Sequence, residues 1–316
     1  MATQLTTVEG KHELANLGEN AKRYVRKSKA PNTVRTYAAM LREFTHYAGD
    51  LPASIETVTG YLADLADAGQ KVATIEVKLA AIAYGHRAAG LPDPTTSEAV
   101  KCVMDGIRRD LGRNPDKKEP ATLAVVKAMI DTLDLETVKG QRDRALLLVG
   151  FAGAFRRSEL VGLDVADLRR DPDRLRILVR HSKTDQEAEG QTKTLPVIGG
   201  DLCPVAALYA WLEAAEIGSG PVFRRVDRHG NVYGRLTAQS VALVVKGAAE
   251  AAGLDWRSFS GHSLRSGFIT EALNKGSSNS DVIEQTGQTV QTMIGYRKNT
   301  GVGAARAVLA AFGDGG

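Results

Sequence analysis

Residues 153–163 read Gly153-Ala154-Phe155-Arg156-Arg157-Ser158-Glu159-Leu160-Val161-Gly162-Leu163. The pattern predicts a short amphipathic helix opening at Arg156, with Glu159 one turn on along the same face and Leu160 and Leu163 turned to a core. Arg156 is the cation in register with Ser158-Glu159-Leu160, and Arg157 stands as its alternative. Upstream, the spacing predicts helices over 123–133 and 140–154, the second carrying the apolar run Ala145 to Val149. Downstream, LRILV at 175–179 predicts a strand, and residues 192–197 its antiparallel partner. The polar stretch HSKTDQEAEGQ joins them as a hairpin loop. Helical periodicity returns over 204–215, 237–252, 262–274, 281–286, 289–296 and 304–312. This half of the chain is therefore α-rich around one small antiparallel sheet.

The N-terminal half is helical throughout. After Pro31-Asn32, Thr33 is placed to cap a helix whose Val34, Tyr37, Leu41, Phe44 and Tyr47 recur every three or four positions. Further periodic stretches run over 55–68, 72–89 and 97–111, the first two closed by Gly69 and Gly90. Short loops between them describe a compact bundle. The segment GRNPDKKEP, residues 112–120, is polar and charged and carries no apolar anchor, which marks a domain boundary. The expected division is a helical bundle at 1–113, a linker at 114–120 and a second domain at 121–316.

Composition narrows the class. Of 316 residues, 43% are hydrophobic and 25% charged, which is enough apolar content for a proper core. No apolar run reaches the roughly 18 residues a membrane span needs, and MATQLTTVEGKHE lacks the layout of a signal peptide, so a cytoplasmic protein is expected. Cys102 and Cys203 each sit in an apolar pattern and are expected to be buried. No ligand spacing among the cysteines or the six histidines suggests a structural metal, and no cofactor is expected. Net charge is only +4, but its distribution is uneven. Lys22, Arg23, Arg26, Lys27 and Lys29 form one cluster, with Arg35 and Arg42 beyond it; Arg108, Arg109, Arg113, Lys117 and Lys118 form another. Such clusters can neutralise phosphates. Arg26, Lys27, Arg35, Arg108 and Arg109 are the candidate nucleic-acid contacts, against the plainer reading of solvated helix faces.

Three more stretches complete a pattern with Arg156 and Glu159. Ser182-Lys183-Thr184 lies in the hairpin, with Lys193 in the following strand as the nearest rival to Lys183. Gly261-His262-Ser263-Leu264-Arg265 sets a histidine and an arginine three residues apart on a helix. Gly295-Tyr296-Arg297-Lys298 places a tyrosine beside two cations near the C-terminus. In this order the chain resembles the tyrosine recombinases, or phage-type integrases, whose catalytic domain reads R-x-S-E-L, a hairpin lysine, H-x-x-R and a late tyrosine.

The resemblance implies a helical, SAM-like core-binding bundle followed by an α-rich catalytic domain. It also implies a catalytic set of Arg156, Lys183, His262, Arg265 and Tyr296, with Glu159 orienting the cluster. Tyr296 would be the nucleophile, leaving a 3′-phosphotyrosyl intermediate that stores the bond energy, so that no ATP is needed. Two guanidiniums would clamp the non-bridging oxygens in the absence of metal. Lys183, lowered into the minor groove, would protonate the leaving 5′-oxygen, and His262 would assist proton transfer or stabilise the phosphorane.

Two features depart from the pattern or leave it open. Where the family usually has His or Trp before the tyrosine, this chain has Gly287-Gln288. Either Gln288 takes that place with one residue deleted, or the position is lost. Glutamine can donate a hydrogen bond to a phosphate but cannot shuttle a proton. The Ala-rich tail from Val302, with Val308, Leu309 and Phe312, is either a last helix on its own core or a segment that docks on a neighbouring protomer.

The expected partner is double-stranded DNA, with a homotetramer on DNA, a monomer or weak self-association off it, and residence with the nucleoid. Two alternatives stand beside the recombinase: a DNA-binding protein of the same fold that has lost cleavage, and a type IB topoisomerase.

Overall fold

The computed structural model describes residues 29–112, 118–180 and 190–292. Arg26, Lys27, Lys183 and Tyr296 lie outside the described residues, as do the tail beyond Thr292 and most of the helix expected over 289–296. The chain divides into two compact units, 1–116 and 117–316, with the break inside GRNPDKKEP.

Among the described residues the first unit holds four α-helices, α1 (Pro31–Ala48), α2 (Ile55–Asp67), α3 (Val72–Ala88) and α4 (Glu98–Leu111). The start of α1 differs from the sequence expectation. Ala30 is the cap residue and Pro31 the first helical residue, because proline's fixed φ suits that position and its missing N–H is one the helix would leave unsatisfied. Helices α2 and α4 begin at serines whose hydroxyls accept the N–H of Thr57 (3.0 Å) and Val100 (3.4 Å). Phe44, Tyr61, Leu62, Ile75, Ile82 and Met104 form the bundle core. His86 is fully buried yet satisfied: Nε2 accepts the Ala53 N–H at 3.0 Å and Nδ1 contacts the Ile82 carbonyl at 2.8 Å. Cys102 is exposed, contrary to expectation, because the buried stripe of α4 runs through Val100, Met104 and Ile107 and leaves position 102 facing outward.

The second unit runs α5 (Leu123–Asp131), α6 (Val138–Ala152), α7 (Arg157–Gly162), β1 (Leu168–Arg170), β2 (Arg174–Val179), β3 (Gln191–Pro196), α8 (Pro204–Ala214), β4 (Arg224–Val226), β5 (Val232–Arg235), α9 (Ala238–Ala251), α10 (Ser263–Asn274) and α11 (Asn279–Thr286). Helix α6 is the centre of the core, with Ala145 through Val149 all buried, and α8 packs on it. Trp211 of α8 is fully buried and donates its indole N–H to the Val222 carbonyl at 2.9 Å. Cys203 is buried at the start of α8.

Among the described residues the expected single sheet is two. Strands β1-β2-β3 form one antiparallel sheet and β4-β5 a separate hairpin. Leu168-Arg169-Arg170 and Arg224-Arg225-Val226 are too short and too charged to show an apolar alternation, which is why they escape a sequence reading. Register in the larger sheet places Leu168 opposite Ile177, and Ile177 opposite Lys193. Along β3 the inward positions are Lys193 and Leu195, both fully buried. A lysine therefore occupies a core-facing place in the sheet.

Candidate active site

Helix α7 starts at the turn that follows α6. Ala154 there adopts a left-handed backbone (φ 46°), which swings the chain so that Arg156 caps α7. The Glu159 carboxylate accepts the Arg156 main-chain N–H at 2.9 Å and its Nη1 at 2.5 Å. Glu159 is buried and Arg156 half-buried, whereas Arg157 is exposed. Burial pushes the Glu159 carboxyl upward, but the Arg156 hydrogen bonds and charge, with Lys193 behind them, outweigh it and hold the group below its ordinary value. Glu159 is thus an anion fixed beneath a guanidinium.

Arg265, on the first turn of α10, is 1% exposed. Its Nη1 donates to the Ala154 carbonyl (2.5 Å) and its Nη2 to the Thr286 carbonyl (2.8 Å), the last residue of α11. Two main-chain acceptors on different elements fix the plane of the guanidinium before anything binds. Helix α10 is pressed against the segment that leads into α5: Ala121 N–H bonds the Ser263 carbonyl at 2.9 Å, and a Cβ on Gly267 would stand 1.8 Å from the Ala121 carbonyl oxygen.

His262 is the residue before α10 and is exposed, so the histidine and arginine of the H-x-x-R stretch differ sharply in burial. Partial desolvation, then the positive charges of Arg265, Arg156 and Arg157, lower the imidazole's pKa and favour its neutral form. That influence also places His262 in the field of both Arg156 and Arg265.

Lys193 completes the cluster from below. Its Nζ donates to the Gln285 carbonyl and lies 5.2 Å from the centre of the Phe155 ring. Burial drives the ammonium's pKa down to about 7, with Glu159 opposing and Arg265 and Arg156 assisting. Sequence reasoning left this residue as a rival to Lys183; the alternation of β3 was the signal that it faces inward.

The end of α11 is held by side chains. Gln191 Nε2 donates to the Glu284 carbonyl at 2.8 Å, Lys193 to that of Gln285 and Arg265 to that of Thr286. These are carbonyls a helix cannot satisfy internally. Gly287 then turns left-handed (φ 63°), and Gln288 follows with its Oε1 buried and meeting no donor among the described residues.

The structure therefore brings Arg156, Glu159, Lys193, His262 and Arg265 together, with Gln288 just past the clamped end of α11. In the first unit, Arg35 is exposed and its Nη2 lies 3.4 Å from Asn32 Oδ1; Arg109 is exposed; Arg108 is ion-paired to Glu76 (2.9 Å) and Asp105 (2.8 Å). Among the described residues no group of three or more His, Cys, Asp and Glu is placed to hold a metal ion, and no helix is long and apolar enough to cross a membrane. What the cluster offers is two oriented guanidiniums, a neutral imidazole and buried positive charge: the equipment for stabilising an oxyanion such as phosphate.

The model of the Phage integrase family matches residues 122–300. Over 288 residues the chain is 38% identical to "Integrase/recombinase xerD homolog" of Selenomonas ruminantium, covering 88% of this chain and 84% of that one. Over 271 residues it is 27% identical to "Recombinase cre" of Escherichia phage P1, covering 78% and 77%. Among solved structures, the XerH site-specific recombinase bound to palindromic difH substrate matches with TM-score 0.64 at 16% identity, over 87% of this chain and 78% of that one. A lambda integrase tetramer bound to a Holliday junction matches with TM-score 0.62 at 16% identity, over 89% and 75%. At such identities the structural likeness is one of fold, and it agrees with the mainly helical architecture.

Proposed function

The chain belongs to the phage integrase family, the tyrosine-type site-specific DNA recombinases, and from that premise we propose how its residues divide the strand-transfer reaction. Tyr296 Oη attacks the scissile phosphorus; the P–O5′ bond breaks and a 3′-phosphotyrosyl ester forms. Arg156 and Arg265 balance the charge on the non-bridging oxygens, each as a permanently charged fork that lysine would not replace. His262, with its lowered pKa, accepts a proton on the nucleophile side or donates to the phosphorane, and Lys183 protonates the departing 5′-oxygen. Gln288 donates a hydrogen bond to the phosphate. In the second half-reaction a 5′-hydroxyl from the partner strand attacks the ester and releases Tyr296. The observation that carries this reading is the guanidinium pair, held by Glu159 and by the Ala154 and Thr286 carbonyls ready for an oxyanion.

Arg26, Lys27, Arg35 and Arg109 contact the DNA backbone, with Arg108 joining them only if it exchanges Glu76 or Asp105 for phosphate. Both units, joined by the linker at 114–120, bind DNA, and four protomers assemble on paired sites. The alternative of a DNA-binding protein that has lost cleavage gains no support from relatives named as recombinases.

The test begins by recovering bound sites in a DNA pull-down. Nicked versions of those sites are then incubated in EDTA with wild type and with Tyr296→Phe. A denaturation-resistant adduct in wild type that vanishes in the variant is the expected result. Binding without any adduct overturns the assignment of Tyr296.

A further inference from the structure

The Lys193 side chain is an unusual choice for its place. Its neighbours in the inner layer, Ile177 opposite and Leu195 along the strand, are apolar and buried, as a sheet face against a core should be. Burying an ammonium costs several kcal/mol unless it is paired and hydrogen-bonded. An apolar side chain would pack the site at lower cost. The lysine instead donates to the Gln285 carbonyl on α11 and lies over the Phe155 ring in the turn after α6, within the field of the Glu159 carboxylate on α7. The charged groups facing it are Glu159, Arg156 and Arg265, so the cluster sets three cations against one carboxylate. Fully buried and donating its Nζ to the Gln285 carbonyl, Lys193 is placed to support the site's frame rather than to serve as proton donor to a leaving group.

We infer that Lys193 is a positioning residue for strand transfer: its ammonium, donating to the Gln285 carbonyl, locks β3 to the end of α11 beneath the Arg156–Arg265 pair. The inference rests on the recombinase reading. Lys193 and Arg265 hold consecutive carbonyls, those of Gln285 and Thr286, so loss of one contact shifts the frame of the other. The excess positive charge also suits a phosphorane, which carries more negative charge than the diester from which it forms. A pKa near 7 means that the lock is charged in mild acid and is lost as pH rises through neutrality, since the folded value lies below the ordinary lysine value.

Three proteins test this: wild type, Lys193→Met and Lys193→Arg, each assayed on the nicked site DNA over about pH 6 to 9. Binding is followed by anisotropy, adduct formation by single turnover and folding by thermal melting. Lys193→Met is expected to bind DNA like wild type but form adduct about 100-fold more slowly, the loss that a small misplacement of catalytic groups brings. Lys193→Arg, charged at every pH, is expected to restore adduct and to lack the decline that wild type shows above neutrality. Adduct formation by Lys193→Met at the wild-type rate overturns the inference. If Lys193→Met is unfolded, Lys193→Arg decides, and an alkaline decline identical to wild type's is the overturning result.

Should wild type itself form no adduct, the recombinase reading fails and not the lock. Amide exchange at Thr286 to Gln288 then reads the lock directly. Faster exchange in Lys193→Met than in wild type is expected, and equal exchange overturns it.

Discussion

Glu159 shows how much one buried carboxylate organises. It accepts the Arg156 main chain and guanidinium together and faces Lys193, so its charge holds both the helix start and the platform. Replacing it by glutamine keeps an acceptor but removes the charge, and leaves two cations facing each other. Glu159→Gln is expected to lose about 1–3 kcal/mol of stability at pH 7, the usual cost of weakening a buried charge-assisted bond. The folded carboxyl titrates below its unfolded value, so this stabilisation is complete above the unfolded value and fades as pH falls through the folded one. Urea melts at neutral and acid pH check it: the gap between wild type and variant should begin to narrow as pH falls below the ordinary carboxylate range and close once the folded carboxyl is protonated. A gap of the same size at both ends would show that the charge is not what matters.

At the scale of elements, α10 carries Arg265 and follows directly on His262, and its position depends on how closely it lies against residues 119–121. The Gly267 contact with the Ala121 carbonyl leaves no room for a side chain. Gly267→Ala must therefore push α10 outward or bend the segment before α5, and overpacking of this kind costs about 1–3 kcal/mol. The expected outcome is a melting temperature lower by several degrees for a unit of this size, about 2–4 °C per kcal/mol. Adduct formation should fall further than stability alone predicts, because Arg265 moves with the helix. A variant that melts with wild type would show that the segment before α5, not the helix, yields. Helix positions of this kind are legible from periodicity; the close approach is not, since an isolated glycine in a helical pattern does not announce what lies over it.

For the whole molecule, the two units meet in a nine-residue stretch, GRNPDKKEP, that holds Arg113, Lys117 and Lys118. Lys118 Nζ donates to the Arg257 carbonyl at 2.8 Å and Glu119 N–H to that of Ser258, so the stretch is anchored from residue 118 onward. Limited trypsin digestion is expected to cut first after Arg113 or Lys117 and to release two resistant fragments. First cuts inside either unit would argue against separable domains.

Much of this protein was readable before any coordinates. Helix positions followed from apolar spacing, because a helix must bury one face whatever it packs on. The order of Arg156, Glu159, His262 and Arg265 pointed to the family, because chemistry needs those side chains and few others will serve. Charge and burial, by contrast, depended on neighbours distant in sequence. Lys193 reads as an ordinary strand lysine until the register sets it opposite Ile177, in the same field as Glu159 and Arg265. Cys102 reads as buried until the stripe of α4 turns it outward. The Ala154, Gln285 and Thr286 carbonyls that hold the cations are main-chain atoms, which every residue has and no motif can mark. Residue identity thus determined which groups were available, and tertiary packing alone decided which of them meet, because a buried charge takes its energy from what surrounds it.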